Sequence, residues 1–406
     1  MEIKLISGSV AAPQGFTAAG VHCGVRKSRT KRDLALIFSQ QPCAAAAVYT
    51  TNKVKGAPIL VDQENLADGR AQAVICNSGN ANTCNANGVE IARAMCDLTG
   101  AALGIAPADV IVASTGVIGQ PMTIDPIAAG IPGLCAALSK TGDGEANEAI
   151  MTTDTIKKEV AVSFPIGGVE CRMGAIAKGS GMIRPNMATM LGFVTTDAAI
   201  TPALLHKALT ASVADTYNMV SVDGDTSTND TVAVLANGMS GAPLIDSEGP
   251  DYDAFLEALT FVNEKVARLM AGDGEGATKL LVIRVSGAAD TASAKVIAKS
   301  VCCSSLFKAA MFGSDANWGR VLCAIGYADA PCDVHKVAVS FASKAGAVEV
   351  CRDGAGIPFS EEEAKRVLSE KEIDVIITLG DGQGSATAYG CDLTYDYVKI
   401  NGDYRT

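Results

Sequence analysis

The chain has 406 residues, 48% of them hydrophobic, which is enough to bury a sizeable core in two or three packed units. Its formal net charge is -11, and its lysines and arginines are scattered. This charge balance argues against a general nucleic-acid binder, because contacts with phosphates need clustered positive charge. The sequence lacks a signal-peptide pattern and an apolar run of membrane-spanning length, so we expect a cytoplasmic protein without a membrane partner.

Strand and helix patterns alternate in the first part of the chain. The short apolar runs 34–38, 71–76 and 109–113 are typical of buried strands, and the last two lead directly into Asn77-Ser-Gly and Ser114-Thr-Gly. Three segments have helical composition: residues 89–103, a helix that begins with Thr201 as N-cap, and residues 251–270.

The second part of the chain is predicted to continue with both element types. Strands are expected at 280–285, 338–341 and 373–378, and helices at 293–311, with Ser293 as N-cap, and after the N-cap Ser360. We place a domain boundary after residue 285. Residues 1–285 would form the core, and residues 286–406 a smaller α/β domain.

Thr189 follows a stretch rich in turn-forming residues. Residues 178–190 read Lys-Gly-Ser-Gly-Met-Ile-Arg-Pro-Asn-Met-Ala-Thr-Met, which places an alcohol after glycines, a proline and a small residue. If the chain cut itself between Ala188 and Thr189, the freed α-amine would stand next to the threonine hydroxyl and could act as its general base. Taken alone, the pattern favours a plain loop before a strand at 190–196.

Residues 178–197 resemble the processing segment of the ornithine acetyltransferase family, also called the bifunctional glutamate N-acetyltransferase/ornithine acetyltransferase family. Further motifs resemble this family in the same order along the chain: Asn77-Ser-Gly-Asn-Ala-Asn82, Ser114-Thr-Gly-Val-Ile-Gly119, Thr152-Thr-Asp-Thr155 and the terminal Asn401-Gly-Asp-Tyr-Arg-Thr406. The resemblance therefore spans nearly the whole chain.

The resemblance implies a mixed α/β fold of layered sheets and helices, as in self-processing aminopeptidases and ornithine acetyltransferases, with a C-terminal tail that returns to the active site. It implies cleavage into chains 1–188 and 189–406, which stay together as a heterotetramer of two copies of each. It also implies a reaction of arginine biosynthesis, in which an acetyl group moves from N2-acetylornithine to glutamate through an acetyl-threonine ester.

The resemblance also assigns the reacting residues. Thr189 is the nucleophile and contacts the substrate, and cleavage falls between Ala188 and Thr189. Thr115 and Gly116 match the family's oxyanion hole, and their place after a strand would let a hydroxyl and a backbone N–H point at one oxygen. Taken alone, Ser-Thr-Gly is more often a hydroxyl-capped turn.

Substrate contacts are carried over in the same way. Lys178 is expected to pair with the substrate α-carboxylate and Glu275 to receive the ornithine amine. Thr152, Asn401 and the terminal Thr406 resemble the family's remaining substrate contacts.

No cofactor and no metal are expected, because the exchange itself needs no coenzyme. The use of acetyl-CoA as an additional acyl donor is left open. The acidic cluster Asp223, Asp225 and Asp230 was weighed as a cation site, but it lacks the twelve-residue calcium-loop pattern.

Two alternative functions stay open at this point. A self-processed amidohydrolase or aminopeptidase would use the same N-terminal threonine and oxyanion donors, but water would take the acyl group. A non-enzymatic protein that binds a small molecule would never release Thr189 from the chain.

Overall fold

The computed structural model describes residues 2–28, 30–183 and 190–403. Within these ranges the strands are β1 (Lys4–Ile6), β2 (Phe16–Val21), β3 (Leu34–Tyr49), β4 (Arg70–Asn80), β5 (Val110–Val117), β6 (Lys158–Ile166), β7 (Val169–Lys178), β8 (Leu191–Thr196), β9 (Val220–Ser221), β10 (Thr231–Ala236), β11 (Leu280–Ala288), β12 (Ala338–Ser343), β13 (Gly346–Arg352), β14 (Ala355–Gly356), β15 (Glu372–Thr378) and β16 (Gly384–Cys391).

The helices of the same ranges are α1 (Ala57–Asn65), α2 (Gly88–Leu103), α3 (Asp125–Ala136), α4 (Asp143–Ile150), α5 (Pro202–Asp215), α6 (Pro250–Gly272), α7 (Thr291–Cys303), α8 (Ser305–Phe312), α9 (Trp318–Gly326), α10 (Glu361–Leu368) and α11 (Tyr395–Asp403). Among the helices described, none combines the length and the apolar composition needed to cross a membrane.

The larger sheet has the strand order β1-β6-β7-β8-β10-β3-β4-β5, with β2 paired to β3. β4 is parallel to β5 and β8 is parallel to β10, whereas the long strand β3 is antiparallel to both β4 and β10. The register of β3 with β4 shifts between Phe38 and Cys43. Buried side chains from both halves of the sheet, such as Cys76 and Phe193, share one core cluster, so the two halves pack face to face.

Helices cover the outer faces of these two halves. α5 and α6 pack on the half that contains β6, where Leu205 and Phe255 join Val162 in one cluster. α2 and α3 pack on the half that contains β4, where Met95 joins Ile75. The resulting order of helices, sheet, sheet and helices confirms the layered α/β class that the resemblance implied.

A second sheet has the strand order β14-β13-β12-β15-β11-β16-β9, and α7 to α10 contribute to its core. β11 begins at Leu280 and runs through the boundary predicted after residue 285, and β9 adds an earlier piece of chain to the same sheet. The division into residues 1–285 and 286–406 stays a prediction.

The prediction of a single helix over residues 293–311 is wrong. The structure has two helices there, because Ser304 adopts an extended conformation and its hydroxyl accepts a hydrogen bond from the Phe307 N–H, which starts a new helix. The predicted N-cap is also one turn late, since the Asp290 carboxylate accepts the Ser293 N–H at 2.7 Å.

The other predicted elements are all present in the structure, with shifted ends. Thr201 occupies the N-cap of α5 as expected, but its side chain makes no capping hydrogen bond. Ser360 does cap α10, and its hydroxyl accepts the Glu363 N–H at 3.2 Å.

Candidate active site

The carboxyl ends of the parallel strands β4 and β5 form a polar corner. The Ser114 hydroxyl donates to Asn77 Oδ1 at 2.6 Å, and Asn77 Nδ2 donates to the Asn80 carbonyl at 3.0 Å. The two motifs singled out in the sequence, Asn77 to Asn82 and Ser114 to Gly119, therefore lie side by side. Buried amides and hydroxyls that bind each other in this way hold the backbone of the corner in place.

Gly116 is required at this corner for a steric reason. Its φ is +131°, and a Cβ there would overlap the backbone of Gly79 on the neighbouring strand. The preceding residue, Thr115, is almost fully buried, and its hydroxyl makes no hydrogen bond with the rest of the described chain. The hydroxyl of Thr115 is therefore available to a ligand.

Asn229 ties this corner to the start of β10. Its Nδ2 donates to the carbonyls of Ala81, at 2.6 Å, and Ser114, at 3.0 Å. Its Oδ1 accepts the hydroxyls of Thr83, at 2.5 Å, and Thr228, at 2.6 Å. With every polar atom of its amide used, Asn229 fixes the corner of β4 and β5 against β10.

Lys178 ends β7 and is 2% exposed. Its Nζ lies 3.9 Å from Asp154 Oδ2, which is the long end of the ion-pair range. Burial lowers the pKa of the Lys178 amine, and the charges of Lys158 and Arg26 act in the same direction, whereas Asp154 and Glu275 raise it. Among the residues that the structure describes, Lys178 is thus a buried cation whose charge is loosely paired.

Glu275 lies on the loop after α6, where it is 8% exposed. Its Oε2 accepts Asn401 Nδ2 at 2.8 Å, and its N–H donates to the Ser180 carbonyl at 3.0 Å. A Cβ on Gly181 would overlap the Glu275 carboxylate, so a glycine is needed beside it. The contact with Asn401 shows that the C-terminal helix α11 returns to this loop.

One cavity of about 160 Å³ gathers these groups. Six predicted site residues line it: Thr115, Gly116, Thr152, Lys178, Glu275 and Asn401. Asp223, Asp225, Asn229 and Tyr397 complete its polar wall. Its hydroxyls, one ammonium group and several carboxylates suit a small zwitterionic ligand.

The remaining predicted site residues, Ala188, Thr189 and Thr406, lie outside the described residues. From the sequence, cleavage is expected between Ala188 and Thr189, with Thr189 as the nucleophile and Thr406 as a substrate contact. These assignments stay predictions.

Asp223 and Asp230 hold the backbone on both sides of residues 184–189. The N–H groups of Met182 and Ile183 donate to Asp223 at 2.5 and 2.8 Å, and that of Met190 donates to Asp230 at 2.7 Å. Burial raises the pKa of both carboxyl groups, most strongly that of Asp230. Two members of the acidic cluster, Asp223 and Asp230, thus anchor the backbone.

Comparison with known proteins gives the family directly. The model described as the ArgJ family matches residues 17–406. The chain belongs to the ArgJ family.

Two full-length relatives agree with the ArgJ assignment. The chain is 51% identical over 392 residues to arginine biosynthesis bifunctional protein ArgJ 1 of Clostridium acetobutylicum, with 96% of each chain covered. It is 51% identical over 406 residues to the arginine biosynthesis bifunctional protein ArgJ of Symbiobacterium thermophilum, with both chains fully covered. As a member of the ArgJ family, the chain is an acetyltransferase of arginine biosynthesis, which confirms the predicted family and enzyme class.

A solved ArgJ structure is also similar. The crystal structure of the arginine biosynthesis bifunctional protein argJ from Bacillus halodurans is 42% identical, with a TM-score of 0.50. The match covers 98% of that chain but 52% of this one, so the solved chain is about half as long.

Several residues of this ArgJ site were not assigned from the sequence. Asp154, Lys158 and Asp273 form buried ion pairs under the cavity, and Asn229 and Tyr397 lie in its wall. Asp154 is the third residue of the motif Thr152-Thr-Asp-Thr155, so the motif contained a signal for it. Asp273 lies two residues before Glu275 in the glycine-rich segment 272–278, and its pairing with Lys158 depends on the fold.

Proposed function

We propose that the protein cleaves itself between Ala188 and Thr189 and then uses Thr189 to carry an acetyl group from N2-acetylornithine to glutamate. Cleavage consumes one water and frees the α-amine of Thr189. The Thr189 hydroxyl then attacks the acetyl carbonyl, its proton passes through the α-amine to the departing nitrogen, and ornithine leaves. Glutamate attacks the acetyl-threonine ester and restores the hydroxyl.

The observation that carries this proposal is the shared cavity. Two groups suited to oxyanion stabilisation, Thr115 and Gly116, line it together with a cation, Lys178, and an anion, Glu275. An N-acetylated amino acid needs this combination, because its carboxylate, its acyl oxygen and its side-chain amine must each meet a partner. The cycle uses no cofactor. If acetyl-CoA is also a substrate, it donates its acetyl group to the same threonine.

The strand order supports the proposal that both products stay together. β8 and β10 would belong to the chain 189–406, and they lie between β7 on one side and β3 on the other, which would belong to the chain 1–188. Separating the two chains would break the sheet along both edges of β8 and β10. The half-length of the solved ArgJ chain fits such a product. We further propose a heterotetramer of two copies of each chain, located in the cytoplasm.

The decisive experiment follows an isotopic label in the acetyl group of N2-acetylornithine. We expect labelled N-acetylglutamate to appear in equal amount to free ornithine, and only when glutamate is present. Labelled acetate in place of N-acetylglutamate would support the amidohydrolase alternative instead. Binding of the donor without any product would support the binding-protein alternative.

Replacing Glu275 by glutamine is expected to raise KM for N2-acetylornithine by about tenfold to a hundredfold, because a charge-assisted hydrogen bond to the donor amine contributes roughly 1.5–3 kcal/mol. KM for glutamate, which has no side-chain amine, should change much less. Steady-state kinetics with each substrate varied in turn measure both values.

The matched control is Asp225→Asn, which removes one negative charge from the wall of the same cavity. No contact with the substrate is proposed for Asp225. If this control and Glu275→Gln raise KM for the donor equally, the effect comes from the overall charge of the cavity. The assignment of Glu275 to the amine would then be wrong.

A further inference from the structure

Asp154 is a fully buried carboxylate directly beneath the cavity, on the segment between α4 and β6. Its Oδ1 accepts the Gly179 N–H at 2.6 Å and Lys158 Nζ at 2.7 Å. Its Oδ2 accepts the Thr152 N–H at 2.9 Å and faces Lys178 Nζ at 3.9 Å. One side chain therefore contacts Thr152, Lys178 and the residue that follows Lys178.

The two lysines near Asp154, Lys158 and Lys178, are paired with carboxylates to different extents. Lys158 Nζ lies 2.7 Å from Asp154 and 2.5 Å from Asp273, so it is closely paired with two carboxylates. Within the described ranges, the ion pair of Lys178 is the distant contact with Asp154 at 3.9 Å, and Lys178 lines the cavity. The ammonium group of Lys178 is therefore available to a negatively charged ligand, because Lys158 neutralises the carboxylates of Asp154 and Asp273.

We propose that Asp154 is a positioning residue that holds Thr152 and the charged form of Lys178 together as the binding site for a substrate α-carboxylate. This inference rests on the proposed function, because it takes the carboxylate of acetylornithine or glutamate as the ligand. Asp154 itself does not touch the substrate. It acts through the Thr152 backbone and through the electrostatic field at Lys178.

Buried hydrogen bonds also connect Asp273, the second carboxylate that pairs with Lys158, to Glu275. Asp273 accepts the Thr155 N–H at 3.0 Å through its side chain, and its carbonyl accepts the Ser180 hydroxyl at 2.6 Å. The Ser180 carbonyl in turn accepts the Glu275 N–H at 3.0 Å. The groups assigned to the carboxylate and to the amine are thus linked by buried contacts, which fixes the distance between them.

The direction of the pH effect follows from the groups that face Lys178. Burial lowers the pKa of its amine, as do Lys158 and Arg26, while Asp154 and Glu275 raise it; the Asp230 carboxyl group and the Cys76 thiol also lie nearby. Lys178 therefore loses its proton at a lower pH than an exposed lysine. Binding of a carboxylate should weaken as the pH rises through this lowered pKa, and removing the charge of Asp154 should move the weakening to still lower pH.

The test is Asp154→Asn, which keeps the shape of the side chain and removes its charge. Calorimetry measures the Kd for glutamate between about pH 7 and pH 10, a range below the ordinary lysine pKa, and needs no turnover. We expect Kd and KM for glutamate to rise about tenfold at neutral pH, with kcat changed far less, and the alkaline weakening to begin at lower pH. The control is Asp143→Asn, a buried carboxylate that accepts the Ser9 N–H outside the cavity and should behave like the parent.

Lys178→Arg provides a second test that leaves Asp154 intact. A guanidinium stays charged throughout this range, so the alkaline weakening of glutamate binding should be clearly smaller than in the parent, where Lys178 titrates together with the α-amine of glutamate. An Asp154→Asn protein with the parent's Kd and pH profile, or an alkaline weakening as large in Lys178→Arg as in the parent, would overturn the inference. A parent that binds glutamate but shows no acetyl exchange would overturn the proposed function alone, and a parent that does not bind glutamate would overturn both.

Discussion

Replacing Thr189 by alanine is expected to leave the protein as one uncut chain of 406 residues without acetyl exchange. The reason is that one residue has two functions in the proposed mechanism. Its hydroxyl attacks the acyl carbon, and its α-amine, which exists only after cleavage, takes the proton. Intact-mass spectrometry of the purified variant beside the parent should show one mass for the variant and two for the parent, with the break before Thr189.

Thr189→Ser is the matched variant, because it keeps a hydroxyl at the same position. It should still yield two chains and retain exchange at a reduced rate. Two chains in Thr189→Ala would show that the hydroxyl is not needed for cleavage and would remove the mechanism. One uncut chain in the parent as well would favour the binding-protein alternative.

Replacing Thr115 by valine is expected to lower kcat for acetyl exchange by about a hundredfold to a thousandfold, the usual effect of losing one oxyanion donor. Valine has nearly the shape of threonine but cannot donate a hydrogen bond. The Thr115 hydroxyl makes no hydrogen bond with the other described residues, so the substitution should cost little stability. Steady-state kinetics and a thermal melt of the same sample measure the two effects separately.

Thr115→Ser keeps the hydroxyl and should retain most of the parent's kcat. Intact mass must be recorded for both variants, because a loss of self-cleavage would also abolish exchange. A missing oxyanion donor typically lowers kcat about a hundredfold. Thr115 is therefore not an oxyanion donor if Thr115→Val is fully cleaved, melts like the parent and keeps more than about a third of the parent's kcat.

Local sequence patterns predicted elements well where one strong signal dominated. The apolar runs before Asn77 and Ser114 are buried strands, and Ser360 caps its helix. The pattern failed at residues 293–311, since apolar spacing continues through Ser304 although a new hydroxyl cap interrupts the helix there. The spacing of apolar residues does not indicate that a single residue, here Ser304, has extended backbone angles.

β3 shows a second kind of limit. The sequence indicated a strand only over residues 34–38, but the strand continues to Tyr49 through four consecutive alanines. Alanine has a low preference for strands. Pairing of Ala44 to Tyr49 with β10 satisfies the backbone of this segment, so a partner nearly 190 residues later in the chain sets its conformation.

The sequence by itself determined the family, the order of the motifs, and the placement of polar residues directly after buried strands, because these depend on residue types and short spacings. Only the tertiary structure decided that Thr115, Lys178, Glu275 and Asn401 line one cavity, since they come from distant parts of the chain. The fold also brings Asp154 within 3.9 Å of Lys178. Burial and pairing of charges depend on which elements pack together, and no short stretch of sequence carries that information.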